Sequence, residues 1–161
     1  MSLLDIEARE KFLYTLEWLL AVTRRYSGQL QFALAHIDYG NPRLLGEAYG
    51  AQQAAQKLDE VVHVMREAFR KTDLVTRDGT DVWILLPYTP ATEKLSDKLR
   101  YIIDVASQGG LQIVERDISL FSLPYDKVAP GAEDSALAFL HYLKKNHTAL
   151  AQAEVVLPAS E

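Results

Sequence analysis

Apolar side chains recur along this chain with two different periods, and the switches between them divide it into elements. From Leu4 to about Arg25, Phe12, Leu16, Leu19 and Leu20 keep the spacing of one helical face, with Glu7, Glu10, Lys11 and Glu17 between them. That pattern predicts an amphipathic N-terminal helix, residues 1–26 with its exit, ended by Ser27-Gly28. The run Leu30 to Asp38 (LQFALAHID) is short, apolar and free of glycine and proline, which predicts a largely buried strand emerging at His36 and Asp38. Tyr39 to Gly46 (YGNPRLLG) holds two glycines and a proline and predicts a loop. A long helix follows, from about Glu47 to Lys71, with Leu58, Val61, Val62, Met65 and Phe69 on one face.

The stretch from Arg70 to Pro87 (RKTDLVTRDGTDVWILLP) predicts a hairpin, because two β-prone runs, Leu74 to Arg77 and Val82 to Leu86, flank the turn cluster Asp78, Gly79, Thr80, Asp81. Thr92 to about Ser107 is helical again, with Leu95, Leu99, Ile102 and Ala106 aligned and Gln108-Gly109-Gly110 as its stop. Leu111 to Leu123 predicts a strand or a pair of strands, and Pro124 to Glu133 a loop. Asp134 to about Asn146 predicts a last helix packing Leu137, Leu140 and Leu143, and Ala153 to Leu157 an edge strand. The middle of this order, strand-helix-strand-strand-helix-strand, is the ferredoxin-like arrangement, an α+β fold with an antiparallel sheet and two helices on one face.

Composition narrows the function classes. A length of 161 residues, 48% of them hydrophobic, suits a single domain spanning 1–161. With 17 Lys+Arg against 22 Asp+Glu, a broad phosphate-backbone footprint is disfavoured, so nucleic acid is not an expected partner. The absence of cysteine excludes disulfides and thiolate metal sites. No apolar run approaches the roughly 18 residues that span a bilayer, and Asp5, Glu7, Arg9, Glu10 and Lys11 do not make a signal peptide, so a cytoplasmic protein without a membrane partner is expected. Met1-Ser2-Leu3 also fits a domain taken from a longer protein, with an upstream sensor ahead of the first helix.

No G-x-S-x-G, Walker A, G-x-G-x-x-G or H-E-x-x-H pattern occurs, and His63, His141 and His147 lack metal-ligand spacing. Read plainly, His36 is a hydrogen-bonded core histidine, Trp83 a core residue, Asp78 and Asp81 turn residues, and Arg70 with Asp73 an exposed pair at a helix exit.

Taken together, the order and spacing of several residues resemble the GGDEF domains of the diguanylate cyclase superfamily, from about Asp5 to about Asn146. His36-Ile37-Asp38 stands where that family has D-x-D, Tyr49-Gly50 and Leu58 keep family spacing in the long helix, and Arg70-x-x-Asp73, Arg77, Gly79 and Leu85-Leu86-Pro87 follow in order. Ala8-Arg9 echoes the family's Asn-Arg before the first helix. The resemblance implies a nucleotide-cyclase-like antiparallel core, βαββαβ with flanking helices, and a site between the D-x-D strand end and the hairpin tip. Active members hold two divalent cations there, because a hard cation needs oxygen ligands and neutralises charge as the 3'-hydroxyl attacks the α-phosphate.

Against that pattern the catalytic positions read as vestigial. His36 replaces the leading carboxylate, while Asp38 remains. The hairpin is a residue short of the usual Arg-to-Pro spacing. Counted from Arg77, Gly79-Thr80-Asp81-Val82-Trp83 replaces G-G-D-E-F; counted back from Pro87, Asp81 takes the Glu position. The Gly-Asp pair that helps hold guanine aligns with Ala54 and Ala55, and the guanine-reading Asn has only Asn41 as a candidate. No metal is expected at Asp38 and Asp81, and magnesium would enter only if residual GTP binding survived.

One family feature is complete. The R-x-x-D that in many members forms an inhibitory site for cyclic dimeric GMP matches Arg70 and Asp73, with Asp73 six residues before Gly79. Lys98, or alternatively Arg100, aligns with the basic residue that often completes the site. The resemblance thus implies a catalytically inactive signalling domain that binds cyclic dimeric GMP at Arg70, Asp73 and Lys98. The alternatives are an interaction or dimerisation module pairing through its first helix, and a cyclase with residual activity resting on Asp38 and Asp81. An RNA-binding ferredoxin-like domain is disfavoured by the acidic balance.

Overall fold

The computed structural model describes residues 3–26, 29–40, 47, 50–87, 93–109, 116–125 and 127–157. A five-stranded antiparallel sheet in the order β2-β3-β1-β4-β5 forms its middle layer. Its strands are β1 (Phe32–Asp38), β2 (Leu74–Asp78), β3 (Asp81–Pro87), β4 (Arg116–Leu123) and β5 (Ala153–Leu157). Helices α1 (Leu3–Arg25), α2 (Ala51–Ala68), α3 (Glu93–Ala106, continued by a 3-10 turn), α4 (Ala136–Lys145) and the single turn α5 (His147–Leu150) surround it. This is the expected α+β class.

Alternation along the strands sorts the side chains into two cores, since successive residues of a strand point to opposite faces. From β1, Ala33, Ala35 and Ile37 join Leu58, Val62 and Met65 of α2 and Leu99 and Ile103 of α3. Phe32 and Leu34 point the other way, into Phe12, Leu16 and Leu19 of α1 and Phe139, Leu140 and Leu143 of α4. Six of the seven β1 residues are therefore buried, which is why its sequence reads as a continuous apolar run. Each fully buried aliphatic or aromatic side chain stabilises the fold by roughly 1.5–3 kcal/mol, so the two layers hold the strand ends in place.

Several boundaries differ from the sequence pattern: α2 begins at Ala51, with Gly50 (φ +79°) just outside it, and not at about Glu47, and β1 begins at Phe32, not Leu30. The long helix stops at Ala68, not Lys71: Phe69 turns extended, at ψ 166°, and drops its ring into the core. Beyond it the Asp73 carboxylate accepts the Arg70 backbone N–H at 3.2 Å, and the Asp73 N–H donates to the Arg70 carbonyl at 2.9 Å. That local turn competes with another helical turn. Strand β4 begins at Arg116; the expected start at Leu111 and most of the Tyr39–Gly46 loop, including Asn41, lie outside the described residues. Helix α4 is capped by Ser135, whose hydroxyl accepts the Ala138 N–H at 3.0 Å.

Candidate functional site

The antiparallel register brings the polar ends of the strands together. Asp38 stands opposite Asp81 on β3 and opposite Asp117 on β4. The β1–β3 ladder runs without a bulge from Phe32↔Pro87 to Asp38↔Asp81, and the β2–β3 ladder likewise from Leu74↔Leu85 to Asp78↔Asp81. With period 2, His36, Asp38, Asp81 and Trp83 share the face covered by α1 and α4.

On that face His36 is 4% exposed, its ring centroid 4.4 Å from that of Trp83, and its Nε2 lies 2.8 Å from Asp81 Oδ1. The other Asp81 oxygen, Oδ2, accepts from Lys144 Nζ at 2.8 Å. Burial raises the Asp81 carboxyl, but the hydrogen bonds from His36 and Lys144, with their charges, outweigh it and hold the group below its ordinary value. The carboxylate is therefore ionised at neutral pH, and His36 Nε2 carries the proton of the shared hydrogen bond. Partial burial lowers Lys144, yet its bond to Asp81 and the fields of Asp81, Asp38 and Asp78 raise it above the usual lysine value.

The surrounding acids are also engaged. Asp38 Oδ1 accepts the Gly40 N–H at 2.8 Å, and Arg9 Nη2 approaches Asp78 Oδ2 at 3.9 Å. Arg9, Thr76, Asp78, Asp81, Trp83 and Lys144 line a shallow, open cleft between α1, the hairpin and α4. The hairpin tip is fastened from the opposite face by Arg77, whose Nε and Nη2 donate to Asp59 Oδ1 of α2 at 3.1 and 2.8 Å. Its Nη1 donates to the Gly79 carbonyl at 2.8 Å, in a turn where Gly79 has φ +63°, a conformation costly for a side-chain-bearing residue.

A hard divalent cation needs several oxygen donors facing one point. Here both oxygens of Asp81 are committed, the neighbouring donor is an imidazole, and an ammonium stands beside them. Among the described residues no group of three or more His, Asp or Glu is arranged to hold a metal ion. The donor set does not fit such a cation. Ala54, where the family's guanine-holding pair would begin, is buried in the core, and Ala55 is exposed with no polar group to offer.

Arg70, Asp73 and Lys98 lie at the other end of the hairpin, a β2 length of roughly 16 Å from the tip. Arg70 and Lys98 are exposed and Asp73 half-buried. Among the described residues no ion pair joins the Arg70 guanidinium to Asp73, whose carboxylate accepts the Arg70 backbone N–H instead. Lys98 Nζ lies 5.9 Å from the ring centroid of Phe69, which puts this α3 residue beside the turn carrying Arg70. Lys98 thus lies beside Phe69, the neighbour of Arg70 in the chain.

Solved structures with this architecture decide what the fold is. The GGDEF domain of YfiN from Pseudomonas aeruginosa superposes with a TM-score of 0.61 over 87% of this chain and 86% of that one, at 19% identity. This chain has the GGDEF-domain fold. The GGDEF domain of DgcB from Caulobacter crescentus, solved in complex with c-di-GMP, matches with a TM-score of 0.57 at 17% identity, covering 82% of this chain and 81% of that one. The diguanylate cyclase SiaD, solved in complex with its activator SiaC from Pseudomonas aeruginosa, matches with a TM-score of 0.59 at 18% identity over 85% of this chain. The match spans 55% of the SiaD chain. No protein-family model matches this sequence, and no curated protein is significantly similar to it.

Lys144 escapes a reading of the sequence by motif. Its signal lies in α4, where Leu137, Leu140 and Lys144 fall on one stripe, so a lysine continues the apolar face that meets the sheet. Asp59 carries a weaker signal, as a charged residue beside Leu58 on a buried helix.

Proposed function

We propose that this GGDEF-fold chain is a cytoplasmic signalling domain that has no cyclase turnover and receives cyclic dimeric GMP at Arg70, Asp73 and Lys98. One observation carries the first half: Asp81, the acid at the hairpin tip, has one oxygen bonded to His36 and the other to Lys144. Groups of the chain itself, the Lys144 ammonium and the His36 ring nitrogen, engage the carboxylate that metal ions would engage in an active cyclase. GTP hydroxyl attack then lacks the cation that would stabilise its transition state, a loss that typically costs orders of magnitude in rate.

The second half rests on Arg70, an exposed residue whose guanidinium is in no ion pair among the described residues, with a second cation, Lys98, against the neighbouring Phe69. A guanidinium can fork onto phosphate or a guanine edge, and Asp73 can accept from the guanine N–H groups. The c-di-GMP complex of the DgcB GGDEF domain makes this ligand the one to test first. No membrane-spanning segment enters the proposal: no described helix is long and apolar enough to cross a bilayer. The decisive assay incubates the chain with GTP and magnesium and follows product beside an active cyclase. No product, with binding of added cyclic dimeric GMP, is the expected pair of results; product formation that Asp81→Ala abolishes overturns the first half, and no binding overturns the second.

A further inference from the structure

One arginine ties the first turn of α1 to the base of the hairpin. Arg66, in the last turn of α2, donates Nε to the Val75 carbonyl at 3.3 Å and Nη1 to the Asp5 carboxylate at 3.2 Å. Asp5 is the acid of the first turn of α1, and both side chains are half-buried. Strand β2 is an edge of the sheet, so its outward carbonyls have no neighbouring strand, and Arg66 satisfies one of them. The turn carrying Arg70 and Asp73 lies inside the loop that this bond closes, four residues after Arg66 and two before Val75. Glu67, the next acid along α2, is paired with His63.

We propose that Arg66 is a positioning residue for the nucleotide site and that Asp5 sets it, which couples the docking of the first turn of α1 to the order of the Arg70–Asp73 turn. A guanidinium is a planar fork, so a carboxylate on one nitrogen fixes the plane in which the others donate. With Asp5 in place, Arg66 holds the start of β2 against the end of α2, and the turn between them is tethered at both ends. With Asp5 withdrawn, the Arg66 side chain regains its rotamers and the Val75 end of the turn loosens, while buried Phe69 still anchors the other end. Coupling is reciprocal, so a ligand that fixes Arg70 and Asp73 holds the first turn of α1 more tightly by the same factor. The ligand half rests on the reading of Arg70 and Asp73 as the site for cyclic dimeric GMP; the ordering half stands without ligand.

Amide hydrogen exchange of the 161-residue chain, followed residue by residue by NMR, tests the ordering half. The Arg70 and Asp73 amides, both bonded within the turn, are expected to exchange about fivefold or more faster in Asp5→Ala, the low end of usual couplings between sites. The Leu34 and Ile84 amides, in the middle of the sheet, keep their wild-type rates, which separates a local loosening from a general loss of stability. In an Arg66→Ala background the Asp5→Ala change adds nothing, because Asp5 acts through Arg66 and not through its place in the first turn of α1. Unchanged exchange at Arg70 and Asp73, equal acceleration at Leu34, or an undiminished Asp5→Ala effect in the Arg66→Ala background overturns the proposal. Titration with cyclic dimeric GMP then tests the ligand half: weaker binding by Asp5→Ala is expected, and equal binding overturns the positioning role. No binding by wild type overturns the reading of the site itself, and the exchange rates still decide the coupling.

Discussion

His36 and Asp81, 45 residues apart in the chain, meet at 2.8 Å through Nε2 and Oδ1 beneath the ring of Trp83. The resemblance makes each of them a relic of a metal site. Their contact gives them a present role: the imidazole donates to the acid, the acid stays ionised, and Lys144 closes its other side. A carboxylate used in this way belongs to the stability of the hairpin tip.

Asp81→Asn is therefore expected to cost about 1.5–3 kcal/mol of stability at neutral pH, the range for hydrogen bonds to charged groups. The pH dependence has a fixed sign. Because the folded Asp81 carboxyl titrates below its ordinary 3.8, its contribution is complete above that value and is lost as pH falls through the folded pKa. The raised Lys144 contributes below its ordinary 10.5 and loses its effect as pH rises through its folded pKa. Thermal melts of wild type and Asp81→Asn should differ by a constant amount through neutrality and converge in acid. A gap that stays open below the carboxylate range would contradict this account of the pair.

A carboxylate at position 36 is not expected to produce cyclase turnover. His36→Asp removes the internal proton donor and sets a like charge beside Asp81, while Lys144 remains. The variant is expected to be less stable than wild type and to form no cyclic dimeric GMP from GTP and magnesium, as measured by chromatography of the reaction products. Turnover in His36→Asp alone would show that the tip retains more of a catalytic site than its hydrogen bonds indicate.

Thr76 on β2 is 3% exposed, and its hydroxyl has no hydrogen-bond partner among the described residues. A buried unsatisfied hydroxyl carries a desolvation cost, and valine has the same shape and equal preference for a strand. Thr76→Val is expected to raise stability by about 1 kcal/mol, read from denaturant melts. A loss of similar size would mean that the hydroxyl has a partner in solution.

The layers of this fold are legible in the sequence because they depend on periodicity, a local property. Phe12, Leu16 and Leu19 declare one helix face, and the apolar run ending at His36 and Asp38 declares a strand buried on both sides, including where its chemistry emerges. The hairpin is equally plain, since Gly79 supplies a positive φ at its tip. Ionic partnerships across the fold are not local. Lys144 meets Asp81 from 63 residues away and Arg77 meets Asp59 from 18, and no period or motif encodes either pair. The end of α2 is hidden for a related reason: the apolar pattern continues through Phe69, and only the Asp73 side chain, folding back on the Arg70 N–H, stops the helix.

Cyclic dimeric GMP is expected to dock at the base of the hairpin, away from the tip. Isothermal titration of wild type, Arg70→Ala and Asp81→Ala with that nucleotide measures it most directly. A bidentate, charge-assisted contact contributes about 1.5–3 kcal/mol, so Arg70→Ala should weaken binding by about tenfold or more while Asp81→Ala leaves it nearly unchanged. No heat with wild type, or equal affinity in Arg70→Ala, would contradict the claim.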